Sequence, residues 1–210
     1  MSDVRPMRSR ASAAKREAIL AAAREVFAET GLEGASLRSV AARAGYTPAA
    51  LYFHFESKEA IYAELLSESL GALGRRVADA AGEEKGEARL RSAAMAFFDF
   101  YAHHPQDLDL GFYLFRGGMK PAGLGRERDL MLNRALEAAL RPIAEAATDL
   151  GADTDSADIL MVDVFAHATG LLLLLHTGRI RMFGANARDL MQRYVDDQVR
   201  SIQGGHHAGP

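Results

Sequence analysis

Ser36-Leu37-Arg38-Ser39-Val40-Ala41-Ala42-Arg43-Ala44-Gly45-Tyr46-Thr47-Pro48-Ala49-Ala50-Leu51-Tyr52-Phe53-His54-Phe55 is the stretch that decides the N-terminal fold. Ser36 is a candidate N-cap, and Leu37, Val40, Ala41 and Ala44 repeat at helical spacing behind it. Gly45 ends that helix. Thr47-Pro48 starts the next, because proline at the first helical position loses only an N–H that has no helical partner anyway. This second helix is expected to reach about His54. Two short amphipathic helices joined by a turn at Gly45-Tyr46 make a helix-turn-helix. In that motif the first helix braces across a nucleic-acid backbone and the second sets its N-terminal residues in the major groove.

Outward from this stretch the chain reads as all helix, with no convincing two-residue periodicity and no internal repeat. A first helix over 13–30 carries Ile19, Ala22, Ala23, Val26, Phe27 and Thr30 on one face and stops at Gly31. Ser57 caps a longer helix that runs to about Ala80, and the 82–86 stretch breaks it. Further helices are expected at 87–103, 105–116, 126–149, 155–176 and 186–202, with a loop at 117–125. The pattern predicts two domains, 11–60 and 61–203, sharing the fourth helix as a mechanical connection. Residues 1–10 and 204–210 are expected to be disordered.

Composition is that of an ordinary globular chain: 210 residues, 49% apolar and 25% charged. The absence of cysteine excludes disulfides, a thiolate zinc site and a cysteine nucleophile, and fits a reducing cytoplasm. The net charge of −3 conceals an asymmetry: residues 1–60 sum to +2 and the remainder to −5. A basic end on an acidic body suits contact with a polyanion through one part only. No signal peptide is apparent, and the unbroken apolar runs, such as 171–175, fall far short of the roughly 20 residues of a spanning helix. No membrane insertion is expected.

The ungapped pattern Ile19-Leu20-x-Ala22-Ala23-x-x-x-Phe27-Ala28-x-x-Gly31, Ser36-Leu37-Arg38-x-Val40-Ala41-x-x-Ala44-Gly45, Leu51-Tyr52-x-His54-Phe55-x-Ser57-Lys58-Glu59 resembles the TetR family of transcriptional regulators over residues 15–66. The resemblance implies an N-terminal three-helix DNA-binding domain and a larger helical domain for ligand binding and dimerisation. It implies phosphate contacts from Tyr52, His54 and Lys58, a hydroxyl near the backbone at Ser36, and a base-facing edge at Thr47, Pro48, Ala49 and Ala50. Those small side chains can meet thymine methyls but offer few hydrogen bonds, so Tyr46, Arg38 and Tyr52 must contribute. Phosphate contacts fix register and base contacts specify. Alternatives stay open at each position: Tyr52 as packing, His54 as a brace, Lys58 as a solvated cation, and Phe53 as core or as a graze on the backbone.

In the second domain the helix 155–176 is apolar nearly all round and must be buried on both sides, by core and by a partner subunit. Phe165, Leu172 and Leu175 from it, with Leu190 and Tyr194 from the last helix, are the expected dimer interface. Phe97, Phe100, Tyr101, Phe112, Tyr113 and Phe115, with Asp163 and His167, are the candidate ligand pocket; plain core is the alternative. No cofactor and no metal site is expected, since the histidines miss the i, i+4 spacing. Nor does the sequence carry a nucleophile elbow, a phosphate loop or a His-Glu-x-x-His pattern of an enzyme. The expectation is a homodimeric repressor, released from a palindromic double-stranded DNA operator by a small-molecule effector. The alternative is a helical small-molecule or partner-binding protein without operator binding.

Overall fold

The computed structural model describes residues 5–111 and 123–205, with side chains over 12–111 and 123–204. The described residues are helical and contain no strand. In chain order the helices are α1 (Arg5–Gly34), α2 (Leu37–Ala44), α3 (Pro48–Tyr52), α4 (Lys58–Gly82), α5 (Gly86–His103), α6 (Pro105–Gly111), α7 (Arg126–Asp149), α8 (Thr154–His176) and α9 (Ala187–Gly205), with a 3-10 turn at Arg179–Phe183. Helix α1 starts at Arg5 and α9 ends at Gly205, so helix enters both stretches expected to be disordered. The expected helix 105–116 is described only as far as Gly111.

The chain falls into two compact units: Met1–Glu68 with Asp109–Leu132, and Ser69–Leu108 with Asn133–Pro210. This differs from a break near residue 60. The start of α4 serves the first unit, where Ile61, Tyr62 and Leu65 are buried, and the Tyr62 ring meets Phe27 edge-on at 5.0 Å. The Tyr62 hydroxyl donates to the Leu110 carbonyl at 3.0 Å, which joins the 109–132 segment to the same unit.

Local signals build the first unit. Ile19, Ala22, Ala23, Val26 and Phe27 are buried along α1, as their spacing requires; Thr30 is exposed, its hydroxyl returned to the Val26 carbonyl at 2.9 Å. Gly31 interrupts the helix at φ 69°, ψ 175°, a region that only glycine enters readily. At the end of α2, Gly45 adopts φ 73°, its N–H bonds to the Ala42 carbonyl at 3.3 Å, and the Tyr46 N–H bonds to the Ala41 carbonyl at 2.9 Å. This Schellman closure satisfies carbonyls that the helix end leaves open and aims the chain into α3.

In the second unit α9 packs on α5 and α8, and α5 on α8. Leu160, Met161, Val164, Ala168, Leu171 and Leu172 of α8 are buried beside Met191, Val195 and Val199 of α9 and Leu90, Phe97 and Phe98 of α5. Helix α8 is long and apolar enough to cross a membrane by length and composition alone, but one face of it is spent on this core. Its opposite side is open: Ile159, Val162, Ala166, Gly170 and Leu173 are all exposed and recur at helical spacing.

Candidate nucleic-acid interface

Helix α3 is only five residues long and is held by its ends. The Ala50 N–H donates to the Thr47 hydroxyl at 3.2 Å, and Pro48 occupies the first turn. Leu51, fully buried, and Phe55, buried one turn on, anchor the helix from below. What remains outward is Thr47, Pro48 and Ala49, exposed, with Ala50 half-buried. Tyr52 is 61% exposed and Phe53 89%, so the end of the helix projects two adjacent rings. Phe53 is therefore not core. Tyr46 and His54 are half-buried, and Arg38 is exposed on α2.

Ser36 is committed locally: its hydroxyl accepts from the Ser39 N–H at 3.1 Å, and the Ser39 hydroxyl accepts from the Ser36 N–H at 3.0 Å. This reciprocal box needed only a short polar side chain at the third helical position. At Ser57 the hydroxyl accepts from the Ala60 N–H at 3.1 Å. One first-turn donor is thus filled internally at each of the three helix starts, Ser36, Thr47 and Ser57.

Lys58 has a different task from a simple phosphate contact. Its ammonium donates to the carbonyls of Leu32, Glu33 and Ala35 at 2.8, 3.3 and 3.2 Å. Three N–H groups meet three acceptors, so the side chain ties the start of α4 to the segment after the Gly31 break. Arg16 of α1 is a second tie. It binds the Glu64 carboxylate through two nitrogens, donates to the His54 carbonyl at 3.1 Å, and lies 4.4 Å from the Phe55 ring centre. Arg43 bridges Glu29 at 2.7 Å and Glu25 at 2.9 Å. Its hydrogen bond holds the Glu29 carboxyl below the usual range. Arg128 of α7 pairs with Glu56 in the loop before α4. None of these pairs is legible in spacing, because their members lie 14 to 72 residues apart.

Of the residues expected to line a ligand pocket, Phe97, Phe100, Tyr101, Asp163 and His167 are among the described residues. Phe97 and Tyr101 are buried and meet edge-on at 5.3 Å, and Phe100 is half-buried against Tyr101 at 5.1 Å. Phe112, Tyr113 and Phe115 lie outside the described residues. Burial raises the Tyr101 phenol well above its ordinary value, as befits a core ring. Asp163 is exposed on α8; His167 is half-buried and stacks on Tyr194 at 4.0 Å. Of the expected dimer residues, Leu172 is fully buried within its own unit and cannot meet a partner. Phe165, Leu175, Leu190 and Tyr194 are half-buried. Among the described residues no cluster of three or more His, Asp or Glu is placed to hold a metal ion.

Residues 19–65 match the family model of bacterial regulatory proteins, tetR family. The chain is 32% identical over 145 residues to the HTH-type transcriptional activator FasR of Mycolicibacterium smegmatis, covering 69% of this chain and 60% of that one. It is 44% identical over 63 residues to the HTH-type transcriptional repressor BepR of Brucella suis, covering 30% of each. It thus spans under two thirds of the curated relatives it matches. The transcriptional regulator FadR of Bacillus subtilis, solved in complex with stearoyl-CoA, shares the fold at a TM-score of 0.66 and 17% identity, over 87% of this chain and 96% of that one. With the sequence pattern and the capped helix-turn-helix in agreement, the chain belongs to the tetR family of bacterial regulatory proteins.

Proposed function

We propose that this chain is a homodimeric, DNA-binding transcription regulator of the repressor type, released from a palindromic double-stranded operator by a small-molecule effector. The observation that carries this reading is the presentation of α3. A capped, anchored helix exposes Thr47, Pro48 and Ala49 at its start and Tyr52 and Phe53 at its end. Small residues at the tip allow close approach to base edges, and the two rings at the other end are free to meet the backbone. Thr47, Pro48, Ala49 and Ala50 are the proposed base-facing set. Ser36, Arg38, Tyr46, Tyr52, Phe53 and His54 are the proposed backbone contacts, and Lys58 positions the loop that carries them.

The exposed stripe of α8, with half-buried Leu190 and Tyr194 on α9, is the proposed dimer face. An open hollow of about 530 Å³ lies between Ile159 and Asp163 of α8 and Gln198 and Ile202 of α9, where a second copy would seat side chains. The effector site belongs to the second unit, and α4, which contributes residues to both units, is the proposed connection. The protein acts in the cytoplasm, beside its DNA, without catalysis of its own.

A gel-shift titration with duplex DNA from upstream of the chain's own coding sequence tests the reading. Retardation at low salt that weakens steeply as salt rises is expected, because phosphate contacts release counterions. No retardation at low salt overturns it in favour of a partner-binding protein. Stearoyl-CoA, the molecule held by FadR of Bacillus subtilis, is a rational first probe for release from DNA.

A further inference from the structure

The loop that leads from α3 into α4 carries a negative charge where a DNA-binding module least tolerates one. Glu56 follows Phe55 directly, two residues after His54 and two before Lys58, and its side chain is largely exposed. A free carboxylate there would repel the phosphates that Tyr52 and His54 are proposed to meet. It is not free: its partner is the Arg128 guanidinium, 72 residues further along the chain.

Arg128 is itself well held. Its other terminal nitrogen donates to the Leu124 carbonyl at 3.2 Å, and the Leu124 N–H donates to the Asp129 carboxylate at 3.0 Å. Leu124 is buried, which roots this small clamp in the first unit. The cation therefore has a fixed position beside the loop. In the same loop the His54 carbonyl accepts from Arg16 at 3.1 Å. Of these two contacts to the loop, the one from Arg128 cancels a carboxylate charge.

We propose that Arg128 is a positioning residue for DNA binding: it folds the Glu56 carboxylate against α7 and neutralises it beside the phosphate-facing loop. This rests on the DNA-binding reading above. It adds that the grip on DNA is set partly by a residue outside the helix-turn-helix, so any displacement of the Leu124–Asp129 clamp weakens that grip without touching a DNA contact.

Fluorescence anisotropy with a labelled duplex from upstream of the coding sequence separates the possibilities, using wild type, Arg128→Ala, Glu56→Gln and the double variant, each checked by thermal melting. Arg128→Ala is expected to weaken binding about fivefold or more at low salt, with the deficit shrinking as salt rises. Glu56→Gln is expected to bind at least as tightly as wild type, and the double variant to recover most of the loss. A double variant as weak as Arg128→Ala overturns the proposal, since Arg128 would then act on DNA or on folding in its own right. Unchanged binding by Arg128→Ala also overturns it while leaving the DNA-binding reading intact. A wild type that binds no duplex at low salt overturns that reading, and this proposal with it.

Discussion

Tyr52 and Phe53 are large rings left in water by a helix whose other large residue, Leu51, is fully buried. A pair of exposed aromatics contributes little to folding, so its placement is best accounted for by a surface it meets. Tyr52→Phe removes one hydroxyl and nothing else. If that hydroxyl donates to phosphate, affinity for duplex DNA should fall roughly tenfold, the size of a hydrogen bond to a charged group. The melting temperature should stay where it is, because the group is exposed in the free protein. Anisotropy and a thermal melt on the same sample check both halves. Lys58 should behave in the opposite way. Lys58→Met leaves three carbonyls without their donor, and a loss of roughly 2 kcal/mol in stability is expected from chemical denaturation, whatever happens to DNA binding. The contrast shows what a single residue reveals in sequence. Ser36 and Thr47 were legible because a cap's partner lies three residues away. Lys58 was not, because its acceptors lie 23 to 26 residues upstream and meet it only through the fold.

Helices α2, α7, α8 and α9 begin within a residue or two of where periodicity and caps put them, since those signals act within one turn. The same locality makes α3 fragile: five residues with one cap. Thr47→Ala should cost about 1 kcal/mol and should loosen the module as a unit, which hydrogen exchange at the Ala50 and Leu51 amides would show. Packing between helices lies beyond what periodicity can say, as α8 and α9 illustrate. His167 of α8 stacks on Tyr194 of α9 with its Nε2 buried and without a hydrogen-bond partner. Burial lowers its pKa from the ordinary value of 6.5. As pH falls through about 6.5 the unfolded chain takes up a proton that the folded chain resists, so the unfolded state binds more protons and stability falls. Above that window both forms are neutral and His167 has no effect on the pH profile. Melts at about pH 7.5 and about pH 5.5 should show a smaller loss for His167→Phe than for wild type. An equal loss in both would remove His167 as the cause.

At the scale of the whole molecule the question is what covers the outer side of α8. The expectation that this helix is buried on both sides came from its composition; which residues fall on which side did not, and Leu172 is interior while Ile159, Val162 and Leu173 are exposed. Along the stripe Ala166 and Gly170 are small, and nothing lies within 4 Å of where a Gly170 side chain would start. Small residues flanked by aliphatic ones let a second helix approach closely, and in the proposed dimer a second copy would bring the same stripe to a two-fold contact. Two recognition helices then address major grooves about 34 Å apart, and each half-site raises the effective concentration of the other. Val162→Glu puts a charge into the centre of that contact while leaving the core of its own unit untouched, since Val162 is exposed. Sedimentation should show a monomer with an undisturbed helical spectrum. Affinity for a two-half-site duplex should drop by roughly a hundredfold or more, while affinity for a single half-site should barely change, because only the linked second binding event is lost. A variant that stays dimeric would place the interface elsewhere. A monomer that keeps full affinity for the two-half-site duplex would show that dimerisation and operator binding are separate properties of this chain.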